Sequence, residues 1–514
     1  MGIIGGLTAS FHALYPMTLL LYGAGLCLAV VVARSFWSWQ RLRHIPGPSL
    51  ASVSSLWMVK RSLTGAFHQH LHHVAETYGP LARIGPNELL STDPDVLRRM
   101  SAVRSLYTKG IFYETGRVTP DDDTVVSLRD EEQHRALRAK MGTAFGGKEN
   151  EGFGFGAGID RQILGLVNLI DAKYLSTTTE YRPVQFFRKV SFFTLDVIGD
   201  ISFGRPFGFL SQDTDLYQYH QITDDTLPLM NIVSTMPWLA SVLHKWPFSM
   251  MLPTEGDRVG FGCLMGLVKS VVDGRLAPGA APQRDMMQAF INSGMTRSEL
   301  TQQVFVQIIA GSVSTTTAIC MTLLCLLTNP SAYSALQREI DDALSAGKLS
   351  SPVTEREAKS MAYLQAVIKE GLRFYPPVVG LGSKQVPEGG DIINGYYVPE
   401  GTQIGMNFFG LMRSKDIWGP DADAFRPERW LDADADQTRR MNMVVDLDFG
   451  FGKYQCLGKP IAMMELNKIF VELLRRYDFA IVNPQNPIKA RSAIFWAVDD
   501  FWLRITERDN TFQK

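Results

Sequence analysis

Apolar residues recur three or four positions apart over much of the chain, which is the spacing of one helix face. This pattern predicts long helices at residues 159–175, 186–201, 258–276, 297–327 and 332–346. Shorter runs predict strands at residues 81–84, 88–91, 396–398 and 403–406. Residues 149–158 are rich in glycine and predict a loop. The predicted fold is mainly α-helical with minor β-sheets.

A different hydrophobic pattern stands at the N-terminus, where residues 16–33 form an uncharged, mostly apolar run. Its length is that of a short membrane helix, and a secretory signal peptide is the alternative interpretation. No positive charge precedes the run, whereas aromatic and basic residues follow it: Arg34, Trp37, Trp39, Arg41 and Arg43. These flanks favour an anchor that leaves the bulk of the chain in the cytosol.

The chain is thereby divided into four parts. They are a lumenal N-terminus at 1–15, a transmembrane anchor at 16–33, a basic and proline-rich hinge at 34–48, and one large domain at 49–514. The formal net charge is −1, which gives no support to nucleic-acid binding.

The cysteines and histidines restrict the metal chemistry that the chain can support. The five cysteines are scattered and odd in number, which argues against a disulfide framework and against a zinc site. All nine histidines lie at or before His244, so the C-terminal half offers no imidazole. A metal held by that half must therefore use another ligand.

Cys456 is the candidate ligand, within the run FGFGKYQCLG at residues 449–458. A single cysteine after a glycine-rich bend and before a helix suits a thiolate ligand of haem iron, because the helix N-terminus favours the thiolate. Phe449 would shield the sulfur, Gly450 would let the backbone turn beneath the porphyrin, and Gly458 would let the following helix pass close to it. A buried structural cysteine is the alternative interpretation.

Two charged motifs precede this run. Glu370 and Arg373 are three residues apart on one predicted helix face and can pair. Arg429 follows within the sequence Pro-Glu-Arg-Trp and could complete a Glu–Arg–Arg network that holds the cysteine loop. Taken alone, such a pair is usually a solvated surface salt bridge, but the order of the three motifs is highly specific.

These motifs resemble those of the cytochrome P-450 family of haem-thiolate monooxygenases, from about Pro46 to the C-terminus. The sequence around Cys456 is most similar to that of fungal membrane-bound members related to pisatin demethylase, which mostly act in specialised metabolism. The resemblance implies the P-450 fold, haem b, O2, and electrons from NADPH through an NADPH–haemoprotein reductase, with cytochrome b5 as a further donor. It also implies a single-pass endoplasmic-reticulum protein whose domain at 49–514 is catalytic and cytosolic.

Haem propionates are expected to contact His134 and Arg138, which lie four apart on one predicted helix face. A solvated basic helix face is the alternative. Lys384 takes the place of the family's usual arginine for the same task. Tyr454 stands where the family most often has arginine, with Lys453 beside it.

The oxygen-activating helix departs from the family pattern. Ala310 and Gly311 match the residues that allow a helix distortion beside dioxygen. The acidic position holds Val313, which cannot carry protons, and Ser314 and Thr315 supply the hydroxyls that follow. Either these hydroxyls and ordered water deliver protons, or oxygen activation is slow and leaky, or the chemistry needs no relay.

Family geometry also assigns a mostly apolar substrate pocket, which favours a lipophilic small molecule. Its predicted members are Tyr107, Phe112, Phe305, Ile309, Val313, Val379, Leu381 and Phe495. The reductase is expected to dock on basic residues near the cysteine loop, namely Arg135, Lys140, Lys453 and Lys459. A haem-thiolate isomerase or dehydratase without a reductase is one alternative function, and a non-enzymatic haem carrier or sensor is another.

Overall fold

The computed structural model describes residues 22–508 except 24, 27, 28, 31, 121, 147–153 and 493. For residues 227 and 228 it describes the backbone and not the side chains. Helices make up most of these residues. In chain order they are α1 Leu56–Ser62, α2 Phe67–Tyr78, α3 Pro94–Ser101, α4 Glu131–Phe145, α5 Phe155–Leu169, α6 Phe186–Phe203, α7 Phe209–Gln212, α8 Tyr219–Thr235, α9 Trp238–Leu243, α10 Gly260–Leu276, α11 Met286–Asn292, α12 Arg297–Leu327, α13 Pro330–Ser345, α14 Glu355–Lys359, α15 Ala362–Phe374, α16 Phe408–Leu411, α17 Lys415–Trp418, α18 Arg429–Asp432, α19 Ala435–Val445 and α20 Lys459–Leu474.

The strands are short and form small sheets beside the helices. They are β1 Leu81–Arg83, β2 Glu88–Ser91, β3 Thr108–Lys109, β4 Val184–Gln185, β5 Lys384–Gln385, β6 Asp391–Ile393, β7 Tyr396–Val398, β8 Gln403–Met406, β9 Tyr477–Ile481, β10 Lys489–Ser492, β11 Trp496–Asp499 and β12 Trp502–Glu507. The largest sheet has the order β1-β2-β8-β5-β3. The mainly helical fold with minor sheets is therefore confirmed.

The centre of the fold is α12, which runs for 31 residues and packs on α6. Thr296 and Glu299 form a capping box at its N-terminus, and this box explains why the helix begins at Arg297, as predicted. Thr194 on α6 and Thr316 on α12 are hydrogen-bonded across the contact at 2.8 Å between their hydroxyl oxygens. This hydrogen bond therefore fixes the position of α12 along its axis relative to α6.

Part of the predicted glycine-rich loop is helical instead. Helix α5 begins at Phe155, and residues 149–153 of the predicted loop lie outside the described residues. A Cβ at Gly158 would lie 2.8 Å from Cγ2 of Ile201, so this glycine lets α5 and α6 approach closely. The packing of α5 against α6 stabilises the helix here. The number of glycines in the local sequence gives no information about that packing.

The structure describes one helix that is long and apolar enough to cross a membrane, and that helix is α12, most of which is buried in the protein. The predicted anchor at 16–33 lies largely outside the described residues. The spacing of apolar residues after Cys456 predicts a helix from Lys459 to Tyr477, but the helix ends at Leu474 and Tyr477 begins β9.

Candidate functional site

The cysteine loop is a tight backbone turn between α19 and α20. The N–H of Cys456 donates to the carbonyl of Phe449, with a nitrogen–oxygen distance of 2.6 Å. Gly450 has φ +69°, and a Cβ there would lie 2.6 Å from the carbonyl oxygen of Tyr454. Gly452 has φ +56° and lies against the carbonyl of Ser101. Both glycines are therefore required by the protein's own backbone.

Opposing influences act on the thiol of Cys456. The residue is exposed to the space in front of the loop, yet the surrounding protein removes enough water to raise the pKa of the thiol. The backbone N–H groups of Gly458 and Lys459 lower that pKa, as does the charge of Arg138. Gly458 is the N-cap of α20, so the sulfur lies just before a helix N-terminus.

Buried lysines face each other near this loop. Lys109 on β3 and Lys384 on β5 are directly opposite in an antiparallel pair, and both are buried. Burial lowers the pKa of Lys109 to about 7 and lowers that of Lys384 well below its usual value. Within the described part of the chain, no carboxylate lies within ion-pair distance of either ammonium. Like charges in opposed positions are unfavourable, so the pair is suited to an anion.

His134 and Arg138 lie close to these lysines. Burial, followed by the charges of Lys109 and Arg138, lowers the pKa of His134 to about 3, which keeps the imidazole neutral. Arg138 donates to the carbonyl of Gln455, next to Cys456. The predicted propionate contacts from α4 and β5 are thus brought together in one place.

Tyr454 and Lys453 share one acidic partner, Glu131. The hydroxyl of Tyr454 donates to the Glu131 carboxylate, and Nζ of Lys453 lies 3.0 Å from it. Nζ of Lys384 lies 3.6 Å from the centre of the Tyr454 ring. Because Glu131 neutralises Lys453, the described cations here that lack a carboxylate partner are Lys109, Lys384 and Arg138. Nζ of Lys109 donates instead to the carbonyls of Val125 and Val126, at 2.6 and 2.9 Å.

Three residues of this site, Lys109, Tyr113 and Glu131, were not predicted from the sequence to act at the haem. The Tyr113 hydroxyl is 3.0 Å from Nζ of Lys384, and Lys109 enters the site through its register opposite Lys384. Local sequence gives little signal for such a pairing. The run Tyr-Thr-Lys-Gly around Lys109 is compatible with a short strand. The strand that pairs with it is determined by the fold.

The described residues fit a haem group by the chemistry of their donors. A thiol at a helix N-terminus would bind iron, because a bound metal ion favours the thiolate form. The opposed Lys109 and Lys384 with Arg138 offer cationic donors for two carboxylates.

Glu370 is the centre of a fully buried charge network. Arg373 donates to both of its carboxylate oxygens at 2.9 and 2.8 Å, and Nε of Arg429 donates at 3.0 Å. The indole N–H of Trp430 and the backbone N–H of Arg426 complete the set at 3.0 and 2.9 Å. The three predicted residues are therefore in direct contact, and the carboxylate is well satisfied.

The arginines of this network also hold the chain that leads to the cysteine loop. Arg373 donates to the carbonyls of Met412, Ala422 and Ala424 at 2.7 to 2.9 Å. Arg429 donates to the carbonyl of Trp418 at 2.7 Å. The network thus fixes the irregular segment between α16 and α18 against α15.

On helix α12, Ala310 is exposed, and Ile309, Gly311, Val313 and Ser314 around it are half-buried. The hydroxyl of Ser314 donates to the carbonyl of Ala310 at 2.8 Å, while Thr315 is buried. The helix continues through Gly311 without a break, so the expected distortion is not seen here.

Gly311 serves helix packing in this structure. A Cβ there would lie 3.1 Å from Cδ1 of Ile198 on α6, which is a tight contact. The close approach of α6 and α12 explains the glycine without any helix distortion.

Four predicted pocket residues come together around the segment that precedes β5. The N–H of Val379 donates to the carbonyl of Ile494 at 2.9 Å, and Phe495 forms a bridge with Val378. Phe112 and Leu381 belong to one apolar cluster and line a cavity of about 20 Å³. These contacts place Phe112, Val379, Leu381 and Phe495 in one region.

The remaining pocket residues are placed differently. Phe305 is buried on α12, with its ring centre 6.4 Å from that of Phe261, and Ile309 packs against the main core. The Tyr107 hydroxyl donates to Asp391 at 2.5 Å, and its carbonyl accepts from Lys453 at 2.9 Å. Tyr107 therefore links β6 to the cysteine loop, and its place in the substrate pocket stays a prediction.

Removing Arg373 is predicted to destabilise the protein strongly. Arg373→Ala leaves the buried Glu370 with one arginine partner and should cost about 3–5 kcal/mol in the free energy of unfolding. The measurement is the urea midpoint, with haem content as a second readout. Arg439→Ala is the matched control, because Arg439 also pairs with a carboxylate three residues away but is 70% exposed. It should change the free energy by about 0–0.5 kcal/mol, and equal effects of both changes would contradict a structural role for the network.

Comparison with known proteins places the chain in a family. A model of the cytochrome P-450 family matches residues 45–497. Cytochrome P-450 monooxygenase ABA1 of Pyricularia oryzae is 39% identical over 479 residues, covering 91% of this chain and 93% of that protein. The protein named aba1 in Botryotinia fuckeliana is 36% identical over 477 residues, covering 92% and 93%. The protein named abl1 in Leptosphaeria maculans is 34% identical over 487 residues, covering 91% and 85%.

These relatives are named as monooxygenases. The chain is therefore interpreted as an enzyme, and the alternative of a non-enzymatic haem carrier or sensor is not supported. The motifs around Cys456, Glu370 and Arg429 all fall within the matched residues. The chain belongs to the cytochrome P-450 monooxygenase family.

Proposed function

We propose that this monooxygenase binds haem b through Cys456 and oxidises a lipophilic small molecule of specialised metabolism, using O2 and electrons from NADPH. An NADPH–haemoprotein reductase delivers the electrons, and cytochrome b5 is a further donor. The observation that carries the proposal is the loop that presents Cys456 at the N-terminus of α20, beside buried and unpaired Lys109 and Lys384. A thiol and a cationic pair in this arrangement suit an iron porphyrin with two carboxylates.

The chain's own groups would bind and orient the haem. Cys456 would supply the thiolate that binds the iron, supported by the N–H groups of Gly458 and Lys459. Arg138, Lys109 and Lys384 would hold the propionates, and the neutral His134 would pack beside them. When bound, a thiolate-ligated haem supplies the chemistry that places one oxygen atom of O2 in the substrate and releases the other as water, with two electrons and two protons.

The substrate region supports a lipophilic molecule. Phe112, Leu381 and Val379 are buried and apolar, and Ile494 and Phe495 pack beside them. Apolar walls favour substrates that gain free energy by leaving water. The reaction type within oxidation, such as hydroxylation or epoxidation, follows from the substrate.

Proton delivery is the unusual feature of the proposal. Val313 stands at the position of the family's acid, and Ser314 is the hydroxyl next to it on α12. Because the Ser314 proton is donated to the Ala310 carbonyl, its oxygen is free to accept from water. A water chain through Ser314 would deliver protons without a carboxylate.

Attachment to the endoplasmic-reticulum membrane through residues 16–33 is part of the proposal. The apolar run and its flanks support it, as do exposed apolar side chains at described positions within the run, including Tyr22 and Leu26. A second exposed apolar group supports contact with lipid, because Trp246, Met250 and Met251 lie on the surface after α9. The catalytic domain would then lie on the cytosolic side.

Replacing Cys456 tests the haem ligand. Reduced protein with carbon monoxide should show the long-wavelength Soret band of thiolate ligation, and Cys456→Ala should abolish it because the sulfur is lost. Cys263→Ala on α10 is the control and should keep the band. Retention of the band in Cys456→Ala would show that another group binds iron.

Replacing Ser314 tests proton delivery. Ser314→Ala should lower product formed per NADPH consumed several-fold and raise peroxide release, because the water chain loses its hydroxyl. Val313→Asp should leave that ratio equal or improve it. The control is Ser312→Ala, since Ser312 also donates to the carbonyl four residues earlier but contacts Tyr219 on α8.

Product, NADPH and peroxide are measured in one reaction. Unchanged coupling in Ser314→Ala, with NADPH still required, would move the proton route to Thr315. Product that forms without NADPH, with no effect of either change, would support the isomerase or dehydratase alternative.

Removing residues 1–33 tests the anchor. The full chain should stay with membranes during extraction with alkaline carbonate, whereas the shortened chain should be released because only surface contacts remain. Mass measurement of the mature N-terminus distinguishes the alternatives. Cleavage after the apolar run would show a signal peptide, and release of the uncleaved full chain would disprove a spanning anchor.

A further inference from the structure

Helix α12 contains a buried amide whose hydrogen bonds are only half satisfied. Gln302 is 6% exposed, and its Nε2 donates to the hydroxyl oxygen of Thr119 at 3.2 Å. Among the described residues no donor reaches its Oε1, although that oxygen is buried. A buried acceptor without a donor is destabilising and is uncommon in folded proteins. This oxygen therefore needs an explanation, and a ligand that donates to it would provide one.

The next residue shows how a structural glutamine is used at the same place. Oε1 of Gln303 accepts from the N–H of Val125 at 2.7 Å, and its Nε2 donates to the carbonyl of Asp123 at 3.4 Å. Both ends of that amide hold the loop before α4 against α12. Because Gln303 already makes this contact, the unpaired oxygen of Gln302 is not needed to attach the loop.

The unpaired amide belongs to the helix face that carries predicted pocket residues. Phe305, Ile309 and Val313 follow Gln302 at intervals of three, four and four residues, which keeps the four side chains on one side of α12. The hydrogen-bond partner Thr119 lies in the segment that follows the short helical turn at residues 111–116. The amide therefore lies where this segment meets the pocket face of α12.

The amide is distant from the part of α12 that is predicted to adjoin dioxygen. Gln302 precedes Ala310 by eight residues. At 1.5 Å per residue this separation is about 12 Å along the helix axis. A substrate that bonds to the amide at one end would thus be oxidised near its other end. The contact would select the position of oxidation as well as the substrate.

The charges around the amide favour a neutral partner over an ionised one. Arg117 pairs with Asp123 at 2.9 Å in the loop before α4. Lys140 pairs with Glu299 at 2.8 Å, one turn before the amide on α12. Because these cations already have anionic partners, a carboxylate would lose its water without gaining a charge in return. A neutral hydroxyl loses less on leaving water, and a hydrogen bond to the amide offsets that loss.

We infer that Gln302 is a specificity-determining residue and that the substrate is a neutral lipophilic molecule with a hydroxyl group, which donates to Gln302 Oε1 at the end remote from the oxidised carbon. A ketone or an ether has no proton to donate, so neither satisfies this oxygen. The role of Gln302 rests on the proposed function, because it assumes that a small molecule is oxidised at the haem.

The test is a thermodynamic cycle with probe ligands that differ only in the hydroxyl group. The pairs are 1-dodecanol with dodecane and cyclododecanol with cyclododecane, titrated into haem-loaded protein while the Soret absorbance and the thermal midpoint are recorded. Gln302→Met is close in size but lacks the amide, so it should weaken binding of the alcohols by about tenfold, about 1.4 kcal/mol. The hydrocarbons should bind it within about twofold of wild type or more tightly.

The matched control is Gln307→Met. Gln307 is also 6% exposed on α12 and has a buried Nε2 with no described acceptor, but its Oε1 is 3.5 Å from the hydroxyl of Ser202 on α6. This change should leave the ratio of alcohol to hydrocarbon affinity within about twofold of wild type. Without ligand, Gln302→Met should unfold at the wild-type urea concentration or above, because it removes an unsatisfied acceptor.

Equal weakening of alcohols and hydrocarbons by Gln302→Met would overturn the inference, as would an equal effect of Gln307→Met on the ratio. Failure of wild-type protein to bind either alcohol would overturn it too. A lower urea midpoint for Gln302→Met would show that the glutamine is structural. Absence of the long-wavelength Soret band from reduced wild-type protein with carbon monoxide would contradict the proposed function instead. A full band without selectivity for the hydroxyl would leave that function intact.

Discussion

The buried carboxylate of Glu370 is the interaction on which the haem-binding half of this fold depends. It accepts hydrogen bonds from Arg373, Arg429, Trp430 and the backbone of Arg426. Burial raises the pKa of the Glu370 carboxyl, but the charges and hydrogen bonds of the arginines reverse this and hold its pKa below the ordinary value. The charge is therefore retained in the core, where it joins α15 to the irregular chain that follows α16.

A second constraint runs through the other side of the site, where the fold leaves positive charge without a partner. Lys109 and Lys384 are opposed on neighbouring strands, while Lys453 is already paired with Glu131. Keeping both lysines charged without an anionic partner is costly, and burial accordingly lowers the pKa of each. The unpaired charge indicates a ligand with acidic groups, and the cysteine loop indicates that the ligand contains a metal.

The basic side chains on the surface near the cysteine loop are likewise of two kinds, those with an anionic partner in the described part of the chain and those without one. Lys140, Lys453 and Lys459 form internal ion pairs, whereas Arg98 stacks on Phe451 with its edge free. Helix α12 offers a similar case. The Ser314 hydroxyl donates to the Ala310 carbonyl of its own helix, and its oxygen can still accept a hydrogen bond from water. The groups that already have partners within the chain are thus distinguished from those that can still bind a partner or water.

Local sequence was sufficient wherever a structure depends on neighbours along the chain. It predicted the bounds of α12, because Thr296 and Glu299 cap that helix, and it identified Cys456 and the pair of Glu370 and Arg373, which are close in sequence. Contacts between distant segments were decided by the tertiary structure. Lys109 meets Lys384 only through strand register, and Gly311 is required by the approach of α6. Pairing across the fold depends on how whole elements pack, and no local pattern of residues records that packing.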